Sequence, residues 1–133
     1  MGDEVDKLAW LHVKDKRLLV ARTRGKSTYY LPGGRREPGE GDEDALVREI
    51  REELSVDLER ASISAAGTFR AQADGKPPGV LVRLSCYRAT YAGTIAASSE
   101  IEEVRWIGYR DRAVCSPALQ LVLDALHADG TIE

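Results

Sequence analysis

The spacing of hydrophobic and polar residues changes repeatedly along the chain. In the first part of the chain, this spacing predicts strands. Residues 7–13 alternate loosely, and residues 17–21 form an apolar run after a tight turn at residues 15–16. Two such segments around a tight turn predict a β-hairpin. Residues 29–31 form a short extended segment, which Pro-Gly-Gly at residues 32–34 ends sharply.

The middle of the chain predicts one helix followed by more strands. Residues 41–54 have the apolar spacing of an amphipathic helix, and Asp42 is its expected N-cap residue. Residues 56–70 regain β character, and residues 70–79 contain two prolines and predict a flexible loop. Residues 80–91 predict a half-buried strand, with the even-numbered positions from 80 to 86 on its apolar face.

The end of the chain predicts a short strand and a last helix. The strand covers residues 104–109, and the helix begins at Ser116-Pro117. The apolar residues with core spacing in this helix are Leu119, Val122, Leu123 and Leu126. A hairpin, a helix, more strands and a final helix predict a mixed α/β fold. A chain of 133 residues without an internal boundary is expected to form one domain over residues 1–133.

Composition and charge limit the class of protein. Hydrophobic residues make up 43% and charged residues 31%, which is typical of a globular protein. The net charge of −3 provides no basic surface for a nucleic acid polymer. The polar amino terminus and the short apolar runs argue against a signal peptide and a membrane span. We therefore expect a cytoplasmic protein, either a monomer or a homodimer.

The two cysteines form no CxxC motif and no framework of pairs. Cys86 lies in the alternating strand and is expected to be a small buried hydrophobic residue rather than a redox group. Cys115 lies just before the start of the last helix, where a lowered thiol pKa is the alternative to burial.

The predicted helix at residues 41–54 carries three carboxylates on one face. With about 100° between successive residues, Glu49, Glu52 and Glu53 fall within an arc of roughly 100°. The adjoining arc is apolar and would pack against a sheet; its residues are Leu46, Val47, Ile50 and Leu54. Like charges at this spacing repel each other and destabilise a helix. A divalent cation with oxygen ligands is the partner that fits best.

The turn before this helix favours anions. Glycines at residues 33 and 34 permit backbone conformations and close approaches that other residues do not allow. A helix amino terminus after such a turn presents unpaired N–H groups to an anion. Glu40 lies on the connecting loop. A cation-binding face beside an anion-binding turn indicates metal-bridged phosphate as the ligand class.

The segment at residues 34–56 resembles a known motif, the Nudix box. It reads Gly34, five residues, Glu40, seven residues, Arg48-Glu49-Ile50, one residue, Glu52-Glu53, one residue, Ser55-Val56. The box has the pattern G-x5-E-x7-R-E-U-x-E-E-x-G-U, where U is aliphatic. The entry at residues 31–35 and the segment at residues 103–107 also resemble the family. The resemblance implies the Nudix fold, an α/β/α sandwich with a mixed sheet, in a small MutT-like member.

The resemblance also implies roles for the matching residues and a Mg²⁺ cofactor, with Mn²⁺ as the alternative. The implied metal ligands are Glu49, Glu52 and Glu53, with Glu52 or Glu53 as general base, Glu40 as support, and the carbonyl group of Gly34. Arg48 would orient a glutamate and assist catalysis, and Arg35 would contact phosphate. A further acid from a later loop often completes such sites; Glu100 is the first candidate and Glu102 the second.

Ser55 departs from the box, which has glycine at this position. The family glycine lies just past the helix, where a left-handed conformation is common. Serine there is expected to reduce stability by up to about 1 kcal/mol without removing a metal-binding atom.

The resemblance implies hydrolysis of a nucleoside diphosphate linked to another group. The leading hypothesis is a nucleoside triphosphate, including oxidised or noncanonical forms, cleaved to a monophosphate and pyrophosphate. The alternatives are an NDP-sugar, ADP-ribose or another NDP derivative, and a non-catalytic nucleotide-sensing module. Arg22, Arg24 and Tyr29 are candidate substrate contacts, through phosphate pairing and base stacking. The alternative is that they are a solvated strand end and a core tyrosine.

Overall fold

The computed structural model describes residues 4–133, which form ten strands and two α-helices. The helices are α1 (Asp42–Leu54) and α2 (Pro117–Ala128), and 3₁₀ turns cover Arg60–Ser62 and Tyr109–Val114. The strands are β1 (Glu4–Trp10), β2 (Val13–Lys14), β3 (Arg17–Thr23), β4 (Tyr29–Tyr30), β5 (Gly33–Gly34), β6 (Asp57–Leu58), β7 (Ser64–Gln72), β8 (Leu81–Arg88), β9 (Tyr91–Ala92) and β10 (Ile101–Ile107). Neither helix is long and apolar enough to cross a membrane, within the residues described.

The strands form two four-stranded sheets and one short pair. The first sheet has the order β5-β1-β8-β7, with β1 and β8 parallel and the other pairs antiparallel. In the second, β3 lies between β10 and β2 and also pairs with β4, always antiparallel. Strands β6 and β9 form the remaining pair. The predicted mixed β-structure is confirmed.

Two apolar clusters lie on opposite faces of the sheets. Leu8 and Trp10 of β1 point into the cluster that contains the apolar face of α1. Ala9 and Leu11 point into the cluster that contains the apolar face of α2. Side chains alternate along a strand, so one strand supplies both layers. The result is the predicted α/β/α arrangement, with one helix on each side.

The predicted hairpin is only partly correct. Val13 and Lys14 pair with β3 across a turn in which Asp15 and Lys16 have φ of 52° and 60°. The longer strand β1 instead joins β5 and β8 in the other sheet. The Leu11 N–H donates to the Tyr87 carbonyl at 2.8 Å, which keeps the chain beside β8 until it turns toward β3.

Helix α1 begins at Asp42. Its N-cap is Gly41, and no side chain caps it, so the prediction of Asp42 as N-cap is wrong. The Asp42 carboxylate instead accepts hydrogen bonds from Arg36 at 2.8 Å and from the Tyr87 hydroxyl at 2.6 Å. These contacts tie the start of the helix to the first sheet. The predicted apolar face is confirmed, because Leu46, Val47, Ile50 and Leu54 are all buried.

The later elements match their predictions with shifted ends. The strand expected at residues 104–109 is Ile101–Ile107, and a 3₁₀ turn interrupts the β region expected at residues 56–70. Helix α2 begins where Ser116-Pro117 predicted, and the Ser116 hydroxyl oxygen accepts the Leu119 N–H at 3.3 Å. Its four predicted core residues are buried.

Both cysteines are free and buried in the described chain. Burial raises the pKa of the Cys86 thiol to about 12 and that of the Cys115 thiol to about 11. The alternative of a lowered pKa at Cys115 is therefore wrong, since loss of solvent outweighs the nearby arginines.

Ser55 ends helix α1 in the left-handed conformation expected for glycine. Its φ is 64° and its ψ is 22°, and its N–H donates to the Arg51 carbonyl at 3.1 Å. A residue with a Cβ is disfavoured in this region, whereas glycine is not. The Ser55 hydroxyl donates to the Ala96 carbonyl at 3.3 Å, a weak compensation because this side chain is exposed.

We predict that Ser55→Gly increases the free energy of unfolding by up to about 1 kcal/mol, because it relieves left-handed strain at the helix end. Urea denaturation monitored by circular dichroism measures this change. The control is Ser98→Gly, at an exposed serine outside the described positive-φ positions, which gains nothing from glycine. Equal or lower stability of Ser55→Gly would contradict the prediction.

Candidate active site

A cavity of about 490 Å³ lies where β1, β5, the second half of α1 and the start of α2 meet. Its lining carries both signs of charge. The acidic lining residues are Glu49, Glu53, Glu100 and Asp74, and the basic ones are Lys7, Lys26, Arg35 and Lys76. Apolar side chains, among them Leu31, Val82 and Leu84, line the rest. A cavity with convergent polar groups on an apolar wall is typical of a small-molecule site.

Glu53 is the buried carboxylate of this cavity. It lies on α1 with 8% of its surface exposed, and its Oε1 accepts the Gly33 N–H at 2.9 Å. Burial raises the pKa of Glu53 to about 8, and the charges of Glu49 and Glu100 act in the same direction. The Gly33 N–H opposes this rise only in part. The site thus holds a carboxylate that favours a positive partner.

Two glycines bring β5 into contact with its neighbours. A Cβ at Gly33 would overlap the Leu8 carbonyl, and its φ of 152° lies in a region that side chains disfavour. A Cβ at Gly34 would overlap the carboxylate of Glu49. Only glycine lets β1 and the Glu49 carboxylate approach this closely. Burial also raises the pKa of Glu49, although Arg48 acts against it.

Arg48 holds two of the box glutamates in place. Its Nε and Nη2 donate to the two carboxylate oxygens of Glu40 at 2.7 and 2.8 Å, and its Nη1 donates to Glu49 at 2.9 Å. The Nη2 also donates to the Arg35 carbonyl at 3.1 Å. The hydrogen bonds from Arg48 lower the pKa of Glu40 to about 2. Arg48 therefore has the geometry of an orienting residue, and Glu40 is bound to it rather than to the cavity.

Several predicted contacts lie away from the cavity lining. The Glu52 side chain is 53% exposed and reaches Arg48 only at 3.5 Å. Tyr29 is buried, and its hydroxyl donates to Glu103 at 2.7 Å. Arg22 pairs with Glu103 at 3.1 Å and with Glu102 at 3.3 Å. Like these residues, Arg24 is not among the described residues that line the cavity.

Strand alternation explains why Tyr30 lines the cavity and Tyr29 does not. Tyr29 faces the core, so the next residue, Tyr30, faces the cavity, and its hydroxyl donates to Asp74 at 2.5 Å. This hydrogen bond joins β4 to the loop between β7 and β8. Gln72 braces the same loop, donating to the Pro77 carbonyl and accepting the Gly79 N–H, both at 2.9 Å. A loop expected to be flexible is thus held beside the cavity.

The sequence interpretation did not single out Lys7. Val5 and Ala9 of β1, and Leu11 just after it, pack on the α2 side of the sheet. Side-chain alternation places Lys7 on the same side. A lysine among apolar residues on a core-facing strand was the signal that could have found it.

The acidic residues of the cavity offer carboxylate oxygens to a metal ion. Among residues 4–133, no three acidic, histidine or cysteine side chains already converge on one point that could hold an ion. Glu49 and Glu53 nevertheless reach the same cavity beside Gly34, and burial raises the pKa of both. Carboxylate oxygens that favour a positive partner are suitable ligands for Mg²⁺. The donor set fits a hard divalent cation.

The family model described as NUDIX domain matches residues 3–119. The NAD-capped RNA hydrolase NudC of Pseudomonas putida (strain W619) is 35% identical over 98 residues. The match covers 71% of this chain and 33% of NudC, so the chain spans about a third of that relative's length.

Solved structures share the fold at low sequence identity. The E. coli ORF135 protein has a TM-score of 0.74 and 23% identity, covering 96% of this chain and 91% of that chain. The MutT NUDIX hydrolase from Burkholderia pseudomallei has a TM-score of 0.67 and 23% identity, covering 81% and 85%. A NUDIX hydrolase from Nitrosomonas europaea has a TM-score of 0.74 and 16% identity, covering 98% and 92%. These similarities show the fold alone.

The pKa of Glu40 generates a prediction about acid stability. In the folded protein this pKa is about 2, against an ordinary value of 4.5. The stabilising contribution of the Glu40 carboxylate is therefore present above pH 4.5 and is lost as the pH falls toward 2. In the presence of EDTA, the free energy of unfolding should fall less steeply over this range in Glu40→Gln than in the unmodified protein.

Urea denaturation at a series of pH values measures the two slopes. Glu43→Gln is the matched control, since Glu43 is an exposed acid on the same helix. It should follow the unmodified protein. Parallel pH curves for Glu40→Gln and Glu43→Gln would contradict the role of Arg48 at Glu40.

Proposed function

Because the chain belongs to the Nudix hydrolase family, we propose that it hydrolyses a nucleoside triphosphate to a nucleoside monophosphate and pyrophosphate. The observation that supports this proposal is the division of charge in one cavity. Glu49, Glu53 and Glu100 provide acidic groups, and Lys7 on β1 and Arg35 just after β5 provide basic groups. A phosphate chain with bound cations is the ligand that satisfies both sets.

The box residues would hold the cation. We assign Glu49 and Glu53 as its principal ligands, since both line the cavity beside Gly34, and the Gly34 carbonyl and Glu100 as additional donors. Glu52 lies outside this lining, and its role as a ligand stays a prediction from the motif. A bound Mg²⁺, or Mn²⁺ in its place, would neutralise phosphate charge and act as a Lewis acid. Arg48 keeps Glu49 in position, and Glu40 keeps Arg48 in position.

The reaction is attack of water on a phosphorus atom of the anhydride. A bond forms from the water oxygen to phosphorus, the bond from phosphorus to the bridging oxygen breaks, and pyrophosphate leaves. A glutamate carboxylate accepts the proton of the water. We favour Glu53 over Glu52 for this role because Glu53 faces the cavity and the Glu52 side chain is half exposed.

The apolar part of the cavity would take the nucleoside. Tyr30 lies there beside Leu31, Ala73 and Val82, and its hydroxyl is held by Asp74. An aromatic side chain with a fixed hydroxyl offers a stacking surface for a base. We therefore transfer the predicted stacking role from Tyr29, which is buried in the core, to Tyr30.

A second candidate function comes from the relative NudC, which is named as an NAD-capped RNA hydrolase. Its 35% identity exceeds that of the solved structures described above. In that case the substrate would be a dinucleotide pyrophosphate, either free or at the end of an RNA. The exclusion of nucleic acid polymers, which is based on the net charge of the chain, stays a prediction. The products discriminate the two functions, because a dinucleotide yields two monophosphates and no pyrophosphate.

The test is a panel of nucleoside triphosphates, NDP-sugars, ADP-ribose, NAD and NAD-capped RNA, incubated with Mg²⁺ or with EDTA. Chromatography identifies the products. We expect pyrophosphate from a triphosphate, and a loss of rate of about 10²- to 10⁴-fold in Glu53→Gln, since the proton acceptor is removed.

Glu43→Gln is again the matched control and should retain the rate, because Glu43 is exposed on the first turn of α1. Full activity in Glu53→Gln would overturn the assigned role of Glu53. Products from dinucleotides alone would favour the second candidate, and no product from any substrate would favour a nucleotide-sensing module.

A further inference from the structure

Lys7 occupies a strand position that is otherwise apolar. Its neighbours on the same face of β1 are Val5, Ala9 and Leu11, which all pack in the α2 cluster. Lys7 itself is half-buried and lines the cavity. A cation on a core-facing strand is unfavourable unless an anion compensates it.

The pairing of β1 with β5 brings a second cation near Lys7. Leu8 pairs with Gly34 and Ala9 with Gly33, and Arg35 is the residue just after β5, as Lys7 is the residue before Leu8 on β1. The positive charge of Arg35 acts on Lys7, so the two like charges repel each other. Both side chains line the cavity. The pair therefore presents two adjacent positive charges to whatever occupies that space.

The pKa of Lys7 and the charges around it agree with this placement. Burial lowers the pKa of the Lys7 ammonium, and the positive charge of Arg35 lowers it further. Glu53 acts in the opposite direction but does not offset these effects. In residues 4–133, no carboxylate oxygen lies within the 4.0 Å ion-pair distance of Lys7. The charge of Lys7 is thus not balanced by an ion pair with any of the described residues.

We propose that Lys7, together with Arg35, binds the phosphate chain of the substrate and thereby favours triphosphates over less charged diphosphate derivatives. The proposal rests on the proposed function, because it concerns the same cavity. A nucleoside triphosphate carries more negative charge on its terminal phosphates than an NDP-sugar or a dinucleotide. Two neighbouring cations in the cavity therefore contribute more to its binding than to that of the other classes.

The first experiment measures binding rather than turnover. Isothermal titration calorimetry with inorganic triphosphate and Mg²⁺ compares the unmodified protein with Lys7→Met, which keeps the length of the side chain and removes its charge. We expect an affinity about tenfold to a hundredfold weaker, as for loss of a charged hydrogen bond. Lys7→Arg should restore most of the affinity. Lys14→Met is the matched control at an exposed lysine of the neighbouring strand and should bind normally.

The second experiment measures specificity. Lys7→Met should increase KM for a triphosphate by about tenfold or more, with a smaller increase for an NDP-sugar and little change in kcat. Thermal denaturation should show that Lys7→Met is at least as stable as the unmodified protein, since methionine suits an apolar face. A residue that served only to neutralise Glu53 would instead change kcat and its pH profile and leave triphosphate binding unchanged.

The two proposals fail in different ways. Unchanged binding of inorganic triphosphate in Lys7→Met would overturn the role of Lys7, whatever the protein hydrolyses. Absence of triphosphate hydrolysis in the unmodified protein, with binding still weakened in Lys7→Met, would overturn the proposed function alone.

Discussion

The hydrogen bond from the Gly33 N–H to the Glu53 carboxylate connects the two parts of the candidate site. It joins helix α1 to strand β5 over 2.9 Å, at a carboxylate that is almost fully buried. Because Gly33 also lies against the Leu8 carbonyl, the same contact sets the position of β1 relative to the helix. The acidic end of the cavity lies between these three elements. The hydrogen bond at Gly33 and the packing of α1 on β1 hold this end together.

Arg48 compensates part of the negative charge on the acidic side of helix α1. Glu49, Glu52 and Glu53 repel each other at helical spacing. The guanidinium group of Arg48 donates to Glu49 on the helix and, through a bidentate contact, to Glu40 on the preceding loop. Glu53 has no arginine partner among the described residues and faces the cavity. The buried carboxylate of Glu53 is thus separate from the carboxylates that pair with Arg48.

The opposite end of the cavity depends on strand alternation and on one braced loop. Tyr30 reaches the cavity because its neighbour Tyr29 on β4 lies in the core. Gln72 and Asp74 hold the loop between β7 and β8 against this end through hydrogen bonds. The acidic end matches the family motif, whereas these contacts belong to the particular side chains of this chain.

Local pattern predicted the helix at residues 41–54, its apolar face and the last helix, and the resemblance to the family motif predicted the left-handed residue at Ser55. These features follow from the period of side chains and from backbone sterics, which act over a few residues. The motif spacing likewise predicted the family. The sheet membership of β1, the core position of Tyr29 and the meeting of Lys7 and Arg35 in one cavity required the tertiary structure. They depend on which distant strands pair and in which register. A shift of the register by one residue would move every side chain of a strand to the other face of the sheet.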